Sequence, residues 1–267
     1  MTMSAKIHSV VSAALLRGDV AHLRSGQHTR TDRAIGTRER WQLYHKELPM
    51  AEIAYPAEAL KVKGVAEWVA KQRWAVEAHT SGGLGIAIQA GVAPARITMF
   101  CDTLTESEVR CVVGLNVGRL GVSSAEQIDV LASCSDARRP QNLLLRMTRG
   151  EMGLPLAGSA ADAAIDAVLG DVRLRLIGLE SCVDATAAYA EVVDQLIGQM
   201  EHVRRSHGVV LDCLGLTASE DFGAQAVLSE VATTIDYALD DACARFHFPR
   251  PLVVFSPRWD HVDCAVD

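Results

Sequence analysis

The segment Asn142-Leu-Leu-Leu-Arg-Met-Thr148 is an almost continuous apolar run of strand length. Pro251-Leu-Val-Val-Phe-Ser256 has the same character near the other end of the sequence. A strand with one solvated face alternates apolar and polar residues, whereas continuous apolar runs are typical of parallel strands covered on both faces. The two runs therefore predict a parallel sheet that is enclosed by helices.

From residue 50 onward, short apolar runs alternate with longer segments in which apolar residues recur at helical spacing. Strict alternation of strands and helices implies parallel pairing through crossover helices, and eight such repeats close into a barrel. We therefore predict a (β/α)8 TIM-type barrel of the α/β class. Its predicted strands are Ala51–Ala57, Ala75–His79, Arg96–Cys101, Gly118–Ser123, Asn142–Thr148, Leu174–Ser181, Gly208–Cys213 and Leu252–Ser256.

Residues 1–48 lack this alternation. They contain an amphipathic stretch at Ile7–Leu16, a polar connector rich in arginine, and a second short helical stretch at Arg38–Lys46. A segment of this size is too small to form its own hydrophobic core. We predict that residues 1–48 are an N-terminal helical extension packed on a barrel domain of residues 49–267.

Composition excludes several classes of function. The sequence has 267 residues, 49% of them hydrophobic, and a formal net charge of −7. An acidic chain without a basic stripe is not expected to bind nucleic acid or anionic membranes. The seven cysteines form no CxxC pair, and this spacing matches neither a zinc site nor a disulfide scaffold. With no convincing signal peptide and no apolar run long enough to span a bilayer, we expect a cytoplasmic protein without a metal site or membrane contact.

Several motifs occur in one order between about residues 50 and 259. They are Ala87-Ile-Gln-Ala-Gly-Val-Ala-Pro-Ala-Arg-Ile97, Gly114-Leu-Asn-Val-Gly-Arg-Leu-Gly-Val-Ser-Ser-Ala-Glu-Gln-Ile128, Ile177-Gly-Leu-Glu-Ser-Cys182 and Arg250-Pro-Leu-Val-Val-Phe-Ser-Pro257. Together they resemble the pyridoxal-phosphate barrel (fold type III, alanine racemase-like) of the diaminopimelate, ornithine and arginine decarboxylases, with the diaminopimelate branch closest. In that family a C-terminal β-domain follows the barrel and completes a dimer. Only Asp260–Asp267 follows the region that resembles the family, so we expect that domain to be absent.

The first departure from the family concerns the residue that binds the cofactor covalently. The resemblance places a lysine where this sequence has Glu58, within Tyr55-Pro-Ala-Glu-Ala59. A carboxylate cannot form an imine with the cofactor aldehyde. Lys61 and Lys63 follow closely, but we predict that both lie on the helix after the first strand and point away from the barrel mouth. The pattern therefore indicates a degenerate catalytic motif.

The other departures affect the positions that hold the cofactor ring and phosphate in the family. Cys182 stands where the resemblance implies a histidine against the pyridine ring, and Asp184 replaces a glycine. The glycine turn after the seventh strand corresponds to Cys213-Leu-Gly215-Leu, which keeps one glycine. Ser256 replaces the glutamate on the pyridine nitrogen, and Arg258 replaces a glycine. Arg258 and Gly215 together could still hold a phosphate.

Polar residues at the carboxyl ends of the predicted strands form a mixed-charge barrel mouth. Its candidate catalytic residues are Glu58, Cys182 and His79. One interpretation is a site for a small polar ligand or a cation, with oxygen ligands from Glu58, Asp102, Glu180 and Asp212. The interpretation we favour is that these carboxylates are paired with Arg146 or Arg258, and that Cys182 and His79 are structural.

Three hypotheses about function follow. The first is a decarboxylase-like barrel that has lost pyridoxal-phosphate-dependent decarboxylation and has a regulatory, scaffold or binding role, with no cofactor expected and another protein chain or a small polar ligand as partner. The second is an enzyme of different chemistry, with Glu58 as general base. The third is a residual pyridoxal-phosphate-dependent decarboxylase or racemase-like enzyme.

Overall fold

Eight parallel strands form the centre of the molecule. The computed structural model describes residues 39–148, 154–156, 158–220, 222 and 225–258. The strands are β1 (Ala51–Pro56), β2 (Ala75–Ala78), β3 (Ile97–Phe100), β4 (Arg119–Val122), β5 (Gln141–Thr148), β6 (Leu174–Val183), β7 (Cys213–Ala218) and β8 (Leu252–Ser256). Each pairs with its neighbours along the chain, and β1 pairs with β8. The sheet is therefore closed, and the predicted (β/α)8 barrel is confirmed.

Helices cover the outside of the barrel. The first, α1, covers residues 39–47. The other helices are α2 (Lys63–Gln72), α3 (Ser81–Gln89), α4 (Glu106–Leu115), α5 (Ala125–Cys134), α6 (Ser159–Leu169), α7 (Tyr189–His207) and α8 (Gln225–Phe246). Each of α2 to α8 follows one of the strands β1 to β7, and a two-residue strand, Leu154–Pro155, lies beside β5. In the part of the chain that the structure describes, no helix is long and apolar enough to cross a membrane.

The hydrophobic core has two layers. The larger layer fills the space between the strands and the helices. The smaller one is a separate cluster of side chains from β1, β2, β5, β7 and β8, namely Ala54, Ala75, Leu144, Cys213 and Val254. Residues from opposite sides of a closed sheet can meet only inside it, so this cluster fills the barrel interior. Small residues dominate it, which leaves room for larger polar side chains above and below.

Helix α1 packs on the outer face of β1 and β8. Trp41 and Tyr44 are almost completely buried, with ring centroids 4.1 Å from Tyr55 and 6.2 Å from Phe255, respectively. The predicted helix at Arg38–Lys46 is confirmed over its described residues, because α1 covers residues 39–47. The predicted helix at Ile7–Leu16 lies outside the described residues, and the division into residues 1–48 and 49–267 stays a prediction.

The predicted position of the seventh strand is wrong. The apolar residues after Gly208 favoured a strand at Gly208–Cys213, but β7 spans Cys213–Ala218. Gly208 instead ends α7 in the left-handed conformation, with φ of 70°, where glycine is favoured. The chain then continues through a short connection before β7 begins. As a consequence, Asp212 precedes the strand and Gly215 lies within it.

Candidate functional site

A charged network crosses the barrel mouth, at the carboxyl ends of the strands. Arg146 on β5 extends into the barrel, where its Nε donates to Oε2 of Glu180 on β6 at 2.7 Å. Its Nη1 donates to Oδ2 of Asp102, just after β3, also at 2.7 Å. Burial opposes the charge of Arg146, but Glu180 and then Asp102 outweigh that effect and raise the pKa of the guanidinium. The predicted pairing of mouth carboxylates with Arg146 is therefore present for Asp102 and Glu180.

Glu180 is the most buried member of this network. Its side chain is only 2% exposed, and its Oε1 accepts a hydrogen bond from Thr217 Oγ1 at 2.7 Å. Opposite it on β7 lies Gly215, and a Cβ at that position would come within 2.6 Å of Glu180 Cγ. The missing side chain of Gly215 thus provides the space that Glu180 occupies. The sequence pattern placed Gly215 in a turn after the strand, and that placement is wrong.

An aromatic stack lies beside the ion pairs. The rings of His79 and Phe100 are nearly parallel, with centroids 4.6 Å apart. The Arg146 guanidinium lies 4.0 Å from the Phe100 ring centroid, within the range of a cation–π contact. Phe100 in turn rests on Gly121 of β4, since a Cβ there would overlap the ring. His79, Phe100 and Arg146 therefore form a continuous layer across the mouth.

His79 has an acidic neighbour. Its Nε2 lies 3.6 Å from Oε1 of Glu77, a residue only 5% exposed. Burial of the imidazole lowers its pKa, but the neighbouring carboxylate of Glu77 outweighs that effect, so the pKa of His79 is raised overall. The other carboxylate oxygen of Glu77, Oε2, is buried without a hydrogen-bond partner among the described residues. Glu77 therefore favours the protonated form of the His79 imidazole.

Glu58 lies in the 3-10 turn Ala57–Lys61 that directly follows β1. Its Oε1 would be 2.9 Å from a Cβ at Gly83, so the carboxylate packs against the start of α3. Lys61 is exposed at the end of the same turn, and Lys63 begins α2. No lysine follows Lys71 in the sequence. None therefore stands at the carboxyl end of any strand from β2 to β8.

The remaining predicted site residues lie around β6 to β8. Cys182 is exposed, and its neighbour along the sheet is Thr217, which in turn pairs with Ser256. Although Cys182 is exposed, the surrounding protein partly desolvates its thiol and raises its pKa, and the charges of Glu180 and Asp184 raise it further. A raised pKa disfavours the thiolate, and with it a role as nucleophile. Just beyond Ser256, Arg258 donates to the carbonyl oxygen of Ser219.

The predicted set of cation ligands does not come together. Asp102 and Glu180 are both engaged by Arg146, while Asp212 precedes β7 at the opposite end of the barrel. Within the described residues, no group of three or more His, Cys, Asp or Glu side chains could hold a metal ion. Asp212 was predicted to lie at the mouth because it falls at the end of the predicted strand Gly208–Cys213, and that strand position is wrong.

The residues of the mouth do not fit pyridoxal phosphate. The position that the family uses for imine formation holds a carboxylate, Glu58. The side chains of Phe100, Arg146 and Glu180 contact one another across the mouth, where a ring would have to lie. Gly215, the one glycine kept from the phosphate-binding turn, is covered by Glu180. The described residues of the site therefore lack the amine that imine formation needs.

Sequence reasoning missed three members of the network: Glu77, Phe100 and Thr217. For Glu77 and Phe100, the alternation of side chains along a strand would have been sufficient to predict them. Side chains alternate between the two faces of a strand, so an inward-facing His79 implies an inward-facing Glu77. By the same alternation, an inward-facing Asp102 implies an inward-facing Phe100. Thr217 could not be found because β7 was misplaced.

Comparison with known proteins agrees with the fold. Residues 36–257 match the family model of the pyridoxal binding domain of pyridoxal-dependent decarboxylases. The chain is 26% identical to the diaminopimelate decarboxylase of Actinosynnema pretiosum subsp. auranticum over 247 residues, which are 82% of this chain and 55% of the relative. The chain thus spans about half the length of that curated relative.

Solved structures show the same architecture. The crystal structure of diaminopimelate decarboxylase from M. jannaschii superposes with a TM-score of 0.66 at 15% identity, covering 86% of this chain and 58% of that one. Lysine decarboxylase from Selenomonas ruminantium gives a TM-score of 0.68 at 17% identity, covering 89% and 66%. At these identities the likeness concerns the fold.

Proposed function

The chain belongs to the pyridoxal-dependent decarboxylase family, because residues 36–257 match the model of that family's pyridoxal binding domain. We propose that it is a member that does not decarboxylate amino acids and acts as a binding or regulatory protein. The observation that carries this proposal is the layer of His79, Phe100 and Arg146, fixed by Glu180, across the barrel mouth. In a barrel enzyme the mouth is where substrate and catalytic groups meet. Here the chain's own side chains occupy that space.

The chemistry at Glu58 supports the same conclusion. Covalent catalysis with an aldehyde cofactor needs a nucleophilic amine, and a carboxylate offers none. Five side chains that can carry a charge lie in or beside the layer: Glu58, Glu77, His79, Asp102 and Glu180. With Arg146 as their permanent cation, they make the mouth acidic. A small polar or cationic ligand, or a basic segment of another protein chain, is the partner that this mouth would favour.

The experiment is a cofactor-binding test on the full chain. Purified protein is mixed with pyridoxal phosphate, followed by absorbance, treated with borohydride and measured by intact mass, with peptide mapping of any adduct. We expect no stoichiometric adduct at a single lysine, because Glu58 cannot form an imine and the mouth is filled. Trace labelling spread over several exposed lysines is compatible with this expectation.

The substitution Glu58→Lys distinguishes two reasons for the absence of an adduct, the missing amine and the side chains that cross the mouth. In Glu58→Lys the amine is restored, whereas Phe100, Arg146 and Glu180 stay in place, so we expect this variant to remain without a stoichiometric adduct. Glu58→Gln serves as the control for the loss of charge. A single-site adduct in the unmodified protein, or amino-acid decarboxylation by it, would refute the proposed function. An adduct in Glu58→Lys alone would show that the missing amine, and not the filled mouth, excludes the cofactor.

A further inference from the structure

A cavity of about 430 Å³ lies at the opposite end of the barrel, where β1 to β4 begin. Its polar lining residues are His45, Glu52, Arg73, Arg96, Thr98 and Arg119. Three arginines in one cavity are notable in a chain whose formal net charge is −7. This cavity is separate from the mouth, and its interpretation does not depend on the proposed function.

The three arginines converge because of the fold. Arg73 is the C-cap residue of α2 and leads into β2. Arg96 ends the 3-10 turn Pro94–Arg96 just before β3, and Arg119 is the first residue of β4. Parallel strands start at the same edge of a sheet, so equivalent positions on three neighbouring strands face one space. Residues up to 46 positions apart are thereby brought together by the barrel.

Among the described residues, one of the three arginines has a carboxylate partner. Arg119 donates two hydrogen bonds to Glu52, at 2.8 and 3.2 Å. Asp212, outside the cavity lining, also contributes to the raised pKa of Arg119, although burial opposes that rise. Among the described residues, Arg73 and Arg96 form no ion pair. The lining therefore carries two positive charges that its own carboxylate, Glu52, does not balance.

The surroundings of Arg96 disfavour its positive charge. Its Nη2 donates to the backbone carbonyl oxygen of Trp74, but its Nε is buried and finds no acceptor among the described residues. Burial lowers the pKa of Arg96, and the positive charge of Arg73 lowers it further. A buried donor without an acceptor is costly. An anion in the cavity would supply the negative charge that the lining lacks.

Aromatic side chains form another part of the cavity wall. Trp74 stacks on His45 with ring centroids 4.1 Å apart. His45 Nε2 is held by a hydrogen bond with Tyr55 Oη at 3.0 Å, and Trp74 lies parallel to the Tyr55 ring at 5.2 Å. These contacts fix the indole in place. A ligand with a planar or apolar group could therefore pack against a rigid surface next to the arginines.

We propose that this cavity binds a small phosphomonoester, with the phosphate between Arg73 and Arg96 and the organic group against Trp74. Guanidinium groups match phosphate oxygens in geometry and charge, and two of them balance a dianion. The cavity is larger than one phosphate needs, and the aromatic wall gives the organic part a place. Free phosphate shares the charged part of this recognition, so the test must compare the two.

The test is isothermal titration calorimetry of the full chain with phenyl phosphate and with inorganic phosphate at constant ionic strength. We expect saturable binding of one phenyl phosphate per chain, with inorganic phosphate bound more weakly. Arg73→Gln and Arg96→Gln should each weaken binding by about tenfold or more. Arg110→Gln is the matched control, since Arg110 is an exposed arginine on α4 paired with Glu106, and it should leave binding unchanged.

Several results would overturn the proposal. Absence of saturable binding would do so, as would equal weakening in all three variants, which would reveal a general effect of net charge. If inorganic phosphate bound as tightly as phenyl phosphate, the role of Trp74 would be refuted. Because Arg96 is partly buried and its substitution could unfold the protein, circular dichroism accompanies each variant. Arg73 is exposed, and its variant decides the outcome if Arg96→Gln does not fold.

Discussion

Arg146 illustrates how a single residue depends on its partners. The guanidinium is 20% exposed and contacts a carboxylate that is 2% exposed, so the pair is largely removed from water. The desolvation cost of such a pair is offset only while both charges are present and hydrogen-bonded. Thr217 and Asp102 complete the hydrogen bonds around it. Removal of one partner should therefore cost far more than removal of both.

At this scale we predict that Arg146→Met lowers the free energy of unfolding by about 3 kcal/mol, because Glu180 remains buried without its counter-charge. The measurement is equilibrium urea denaturation followed by circular dichroism. In the double variant Arg146→Met/Glu180→Gln the buried charge is gone and the Thr217 hydroxyl keeps an acceptor. We expect that variant to regain most of the lost stability.

An exposed pair provides the control. Arg110 and Glu106 form an i,i+4 pair on α4 in which both side chains are more than half exposed. Arg110→Met should change stability by less than about 1 kcal/mol, the usual range for surface ion pairs. If Arg146→Met were no more damaging than Arg110→Met, the buried network would not contribute to stability as we infer.

Two glycines allow close packing of side chains between neighbouring strands. Gly121 on β4 leaves the space that the Phe100 ring of β3 fills, and Gly215 on β7 does the same for Glu180 of β6. In both cases a larger side chain from one strand lies over a bare backbone on the next. The packing of the barrel mouth is therefore shared between pairs of strands and cannot be assigned to either strand alone.

At the scale of elements we predict that Gly121→Ala destabilises the protein by about 1–3 kcal/mol, since its methyl group would overlap the Phe100 ring. Gly85→Ala is the matched control, because a Cβ at this position in α3 meets nothing within 4 Å. That substitution should stabilise the protein by about 0.5–1 kcal/mol, as alanine is the better helix former. In thermal denaturation, we expect Gly121→Ala to lower Tm and Gly85→Ala to raise it. A rise in Tm for both variants would contradict the packing at Gly121.

The molecule as a whole is held together at the junction of its first and last strands. There α1 covers β1 and β8 with Trp41 and Tyr44, each at most 2% exposed. Tyr55 and Phe255 receive these side chains on the outer face of the barrel. The closure of the barrel and the docking of α1 thus bury the same apolar surface, and we expect them to be lost in one transition.

At the scale of the whole molecule we predict that Trp41→Ala lowers the free energy of unfolding by about 3–5 kcal/mol, the usual cost of truncating a buried tryptophan. Unfolding should remain a single transition by circular dichroism and fluorescence. Glu39→Ala, an exposed substitution in α1, should have little effect. If Trp41→Ala produced a separate early transition with the barrel unchanged, α1 would be an independent unit and not the packed extension that we predict.

The sequence by itself determined the barrel, because burial on both faces leaves a local pattern in each strand and each helix. Continuous apolar runs and helical spacing are properties of neighbouring residues, so they survive without any knowledge of contacts. The same reasoning failed at β7, since the apolar residues after Gly208 resemble a strand but follow a helix cap. Local patterns identify elements better than they fix their ends.

The site was predictable only in part. The sequence showed that Glu58 and Cys182 depart from the family pattern and placed Arg146, Asp102 and Glu180 near strand ends. Only the tertiary structure decided that Arg146 joins two carboxylates 44 and 34 positions away. The proximity of the three arginines in the cavity at the other end could not be predicted either, because spacing along the chain does not show which side chains meet. Closure of the barrel brings distant strand ends into one small space, and the side chains that fit that space then determine which charges are paired.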